Sequence, residues 1–144
     1  MHRLSLRVVV IAVLALAIAG ARGGGLGAKA ATTSPSATAS ALPFKATFSA
    51  PSHHPVVNKN WPITVTATDL SAKPIAATLQ LNVLLGILQV GQVDNGKVHH
   101  FVGHYRENVT WPRASVGHKL TLQAVVKAKG KTKKLSWTIS VVNK

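Results

Sequence analysis

Cysteine is missing from this 144-residue chain, and carboxylates nearly are: Asp69, Asp94 and Glu107 are the only acidic side chains. Without cysteine there is no disulfide framework, no thiolate zinc site, no iron–sulfur cluster and no cysteine nucleophile. An exported domain of this size without disulfides must be held by packing and sheet hydrogen bonds alone. Three acids leave little room for paired-carboxylate catalysis. Asp69 and Asp94 fall in turn-like stretches, where aspartate bonds its local backbone. Glu107 has Arg106 and Arg113 nearby as ion-pair partners. No nucleophile-elbow sequence is present, and the glycine run "GGGLG" does not sit between a strand and a helix. Neither a catalytic residue nor a cofactor is expected. A sustained helical period is also lacking from residues 44–144.

Positive charge is abundant. Seventeen Lys and Arg give a formal charge of +14. Four of these cations (Arg3, Arg7, Arg22, Lys29) lie in the first 30 residues, which leaves +10 on residues 31–144. Such a field attracts polyanions in general. Residues 1–30 read as a signal peptide: "MHRLSLR" is a basic start, Val8 to Gly20 is an apolar run too short for a comfortable span, and small-residue sites place cleavage after about 21 or 30. Residues 31–42 continue a Gly/Ala/Ser/Thr composition that cannot bury enough apolar surface to order itself, and read as a flexible linker. Residues 43–144 form the domain. The expected location is secreted, extracellular or associated with the cell envelope, with no stable membrane span after cleavage.

Within the domain the period is two. "PITVTATD" sets Ile63, Val65 and Ala67 against Thr64, Thr66 and Thr68. "TLQLNVLL" points Leu79, Leu81, Val83 and Leu85 inward and Gln80 and Asn82 outward. "KLTLQAVVKA" and "LSWTISVV" alternate in the same way, with Leu120, Leu122, Ala124 and Val126 and then Leu135, Trp137, Ile139 and Val141 inward. Turn signals stand at 71–74, at Asp94-Asn95-Gly96, which suits a tight hairpin, and at 129–132. Seven or eight short strands in about 100 residues predict an all-β, antiparallel sandwich.

"FSAPSHHPVVNKNWPITVTATD", "KPIAATLQLNVL", "HHFVGHYRENVTWP" and "LTLQAVVKAKGKTKKLSWTISV" together resemble small secreted immunoglobulin-like (fibronectin-III-like) β-sandwich domains of high-GC Gram-positive bacteria. The resemblance covers about residues 44–143. It implies an immunoglobulin-like fold and a non-catalytic module, and carries no specific activity. The inter-sheet disulfide of antibody domains is absent here, and no Tyr precedes Leu120–Val126 as a tyrosine corner would require.

Three groups of residues are candidates for binding. Lys127, Lys129, Lys131, Lys133 and Lys134 crowd the last turn. By parity the odd-numbered four share a solvent face, suited to an anionic wall polymer or polysaccharide or serving to guard strand ends. The absence of interleaved aromatics argues against specific nucleic acid. Trp61 and Trp111, each before a proline at a strand end, would form a ligand platform if exposed, or the rim of the core if not. His53, His54, His100 and His104 are the ligands a copper- or zinc-binding sandwich would have to use. His100 and His104 on one strand stand about 13 Å apart, too far for one ion, so His53 or His54 would have to approach His100. His99 and Phe101 are expected to share the face of Tyr105. Adhesion or anionic-polymer association is the expected function; metal binding, or a role as accessory subunit to a protein partner in a secreted assembly, are the alternatives.

Overall fold

The computed structural model describes residues 10–11 and 41–144. The expected leader and linker lie outside the described residues apart from their overlap with these ranges. Eight strands account for the domain: β2 (Lys45–Ser49), β3 (Asn60–Thr68), β4 (Ala76–Leu85), β5 (Leu88–Gln92), β6 (His99–Val102), β7 (His104–Thr110), β8 (Lys119–Ala128) and β9 (Lys131–Ser140). A two-residue strand, β1 (Val10–Ile11), precedes them. They form two antiparallel sheets, β2-β3-β7 and β1-β5-β4-β8-β9, with β6 also paired to β4.

The alternation read from the sequence decides what is buried. Trp61, Ile63, Val65 and Ala67 of β3 meet Ala77, Leu79, Leu81 and Val83 of β4 and Leu120, Leu122, Ala124 and Val126 of β8 in one core. Each fully buried Val, Leu or Ile contributes about 1.5–3 kcal/mol by leaving water. Leu85 departs from the expectation. It lies at the end of β4, beyond a register shift between Val83 and Leu84, and is exposed. Asn82 points outward as expected but is covered, and it accepts a hydrogen bond from Gln92 Nε2 at 3.2 Å. Leu42, expected as linker, packs against the core.

The Asp94-Asn95-Gly96 signal is correct in backbone and wrong in role. All three residues have positive φ, at 53°, 54° and 75°. They do not close a hairpin, because β5 and β6 both pair with β4 rather than with each other. They lie in a short 3-10 turn, Val93–Gly96, that loops out of one interrupted strand. The hairpin lies just before it, where Leu85 pairs with Leu88 around Gly86-Ile87.

The interrupted strand then changes sheets. At Gly103, φ is 72° and a Cβ would lie 2.8 Å from Pro74 Cβ. Gly103 N–H donates to Ile75 O at 3.0 Å, and Gly103 O accepts from Ala67 N–H at 2.8 Å. One glycine thus bonds β3 on one side and the entry to β4 on the other, and the chain leaves the larger sheet as β6 and joins the smaller one as β7.

Candidate polyanion interface

The hairpin of β8 and β9 turns on two residues, Lys129 and Gly130, with φ of 48° and 70°. Both positive angles are what a two-residue hairpin turn of the right twist requires. The turn sets the register Ala128↔Lys131, Lys127↔Thr132, Val126↔Lys133 and Val125↔Lys134. Directly opposed residues share a sheet face, so odd positions on β8 share a face with even positions on β9. The five lysines therefore do not share one solvent face. Lys127 and Lys134 stand on the outer face with Thr132. Lys131 and Lys133 fall on the parity of Ala128, Val126 and Leu135, which faces the other sheet. Lys131 is nonetheless exposed and Lys133 half-buried. The two-residue turn pairs each even position of β8 with an odd one of β9, so the odd-numbered lysines expected on one solvent face divide between two.

The outer-face lysines meet a residue from elsewhere in the chain. Thr78 of β4 pairs with Lys127 on one side and with His100 of β6 on the other. His100, Thr78, Lys127 and Thr132 thus form one row across four strands, with His100 and Lys127 about 10 Å apart at strand spacing. Beside this row lies an open depression of about 490 Å³. Its floor is made of small residues, Ala76, Ala77, Ala128 and Gly130, and its walls include His100, Lys127 and Lys129. Phe101 and Val102 supply an apolar side. Sequence reading placed His100 with other histidines. Pairing of both β6 and β8 to β4 places it with lysines instead, and only the sheet order could reveal that.

The histidines are dispersed. His53 stacks on Trp137 with ring centroids 4.5 Å apart and planes 3° from parallel. Its Nδ1 lies 2.6 Å from Thr138 O, a carbonyl that can only accept, so Nδ1 carries the proton. Ser140 N–H donates to His53 O at 2.8 Å and Val142 N–H to Pro55 O at 3.0 Å, so residues 53–55 cover the edge of β9. His53 is thus a clasp on the strand farthest from β6. Three strand spacings, about 14 Å, separate that edge from His100. His104 projects from the other sheet, in register with Thr66. His54 is exposed, and its backbone N–H bonds Ser52 Oγ at 3.2 Å. Among the described residues no three metal-ligating side chains come together, so the metal site built from His53 or His54 with His100 is not formed.

Trp61 and Trp111 are not a surface platform. They are 4% and 0% exposed and meet edge to face with centroids 6.1 Å apart. Aromatic pairs favour that geometry, and these two close one end of the core. The expected face shared by His99, Phe101 and Tyr105 is present, with rings 5.1 and 6.0 Å apart. His99 Nε2 also lies 3.4 Å from Asp94 Oδ2, and Tyr105 O–H donates to Glu107 Oε2 at 2.6 Å. Two of the three acids are therefore engaged on one flank of the sandwich. Asp69, as expected, accepts from its own turn, from Ser71 N–H at 2.8 Å and Lys73 N–H at 2.9 Å.

No protein-family model matches the chain, and no curated protein matches it. Among solved structures it is similar to the CARDB domain of a Pyrococcus furiosus protein, crystallised in complex with di-metal ions, at 16% identity over 70% of this chain and 94% of that one, with a TM-score of 0.41. At that distance the likeness says nothing about a ligand for this chain. The two-sheet architecture rests on the strand pairings themselves. Among the described residues no helix is long and apolar enough to cross a membrane.

Proposed function

We propose that this chain is a non-catalytic, secreted, immunoglobulin-like module that associates with anionic polymers of the cell envelope through a basic surface. The observation that carries the reading is the corner where His100, Lys127 and Lys129 surround a floor of small residues on a domain of formal charge +10. A shallow floor lets an extended polymer lie close to the backbone, while ammonium groups at its rim meet the anionic substituents. Lysine is a compact point charge without a bidentate fork, so the contact selects charge density rather than one sequence or sugar. Screening by salt follows directly, because the cations are exposed.

Heparin and polyphosphate are suitable probes. Binding is expected to fall steeply between low and high salt. The double variant K127A/K129A is expected to weaken it by roughly twofold to tenfold, the range set by losing two exposed ionic contacts. K131A/K133A, on the opposite face, is expected to weaken it less. Affinity that is indifferent to salt, or equal loss in both double variants, would remove this corner from the mechanism.

A further inference from the structure

We infer that β5 is a pairing edge for a second copy of this chain, joined antiparallel through the larger sheet. In the described structure this edge already holds an extended segment: Val10 lies opposite Gln92 and Ile11 opposite Gly91, in antiparallel register. The edge therefore has the geometry and the backbone groups to accept one more antiparallel strand. Those two residues belong to the segment read as a leader. Among the described residues every core residue comes from within residues 42–141, so residues 41–144 retain this core, and removal of the segment read as a leader uncovers β5.

The composition of this edge differs from the rest of the molecule. From Pro74 to Val93 there is no charged residue and no histidine, in a domain otherwise crowded with lysine. Natural sheets guard open edges with lysine, proline or a covering segment. The opposite edge, β9, has both lysines and the cover from residues 53–55, whereas β5 has neither lysine nor proline and its one described cover is Val10–Ile11, from the segment read as a leader. Apolar side chains flank it instead: Leu88 is 63% exposed, Ile87 wholly so, and Leu85 45%. Two bodies of like charge approach at least electrostatic cost where the facing surfaces carry none, and this strip provides such a surface. A two-fold axis beside β5 sets the two strands antiparallel, the orientation in which Val10–Ile11 already lies.

Sedimentation velocity on residues 41–144 tests this over a range of concentration and salt. A reversible dimer is expected, unchanged or tighter as salt rises, because salt screens repulsion between the two cationic bodies. Leu88→Lys is expected to weaken it roughly tenfold or more, as a charge at the centre of a small contact does. Leu70→Lys, equally exposed in a turn on the other side of the chain's path, is expected to leave it intact. A monomer at every concentration would overturn the inference, as would a dimer indifferent to Leu88→Lys. So would a monomer that binds a synthetic peptide of residues 8–20 at β5, since the edge would then belong to the chain's own N-terminal segment. None of these outcomes bears on the polyanion corner, which lies on other strands and responds to salt in the opposite sense.

Discussion

Lys129 occupies the first of two turn positions at a φ of 48°, where glycine or asparagine is the less strained choice. The chain keeps a cation there at some cost in stability. Lys129→Asn is accordingly expected to stabilise the domain by about 0.5–1 kcal/mol, within the penalty for a side chain held in the left-handed region, while weakening heparin binding. Urea titration paired with a binding isotherm reads both effects. A variant that gains stability and binds as tightly as the parent would mean the lysine is only a turn residue. The sequence already displayed Lys129-Gly130 as a turn, and displayed the inward column of Leu122, Ala124 and Val126. It did not display the facing of Lys131 and Lys133, because that depends on whether the loop holds two residues or three. A change of one residue in loop length moves every later side chain to the other face.

At the scale of elements, the strand pattern was legible because each run alternates strictly and is bounded by turn residues. The partners of each run were not. Asp94-Asn95-Gly96 carries the composition of a hairpin and serves as a 3-10 loop within one interrupted strand, and nothing local distinguishes the two when the deciding fact is that β4 is long enough to pair with both flanking pieces. The same long strand brings His100 into line with Lys127. Gly103 is the position on which the second half of this arrangement turns. A methyl group there meets Pro74 and strains a φ of 72°, whereas at Gly117, with φ of 81°, nothing lies within 4 Å. Gly117→Ala is expected to cost about 1–2 kcal/mol, the backbone penalty alone. Gly103→Ala is expected to cost clearly more, with hydrogen exchange accelerated at Ala67 and Gly103, whose bonds cross the corner. Equal losses at the two glycines would show that the contact with Pro74 relaxes without consequence.

For the whole molecule, the charge distribution separates two kinds of association. Cations gather at the β8–β9 tip and along the exposed faces, and the strip from Pro74 to Val93 carries none. Raising salt is therefore expected to release the domain from polyphosphate while leaving self-association in place, so that a single salt series followed by light scattering resolves both. If both contacts dissolve together, the same cations serve both and the strip is not an independent surface. Net charge and the uncharged run from Pro74 to Val93 were readable from the sequence, but the place of β5 at a sheet edge was not, since it depends on which strands pair with β4.

The stretch from His99 to Thr110 belongs to both layers, changing sheets at the single bend of Gly103. In a chain without cysteine, that makes the backbone itself the tether between the two layers. A force that slides one layer over the other must first break the hydrogen bonds of Gly103 to Ala67 and Ile75 at this corner. Load applied across the two layers would then pass along the chain and not through side-chain friction alone.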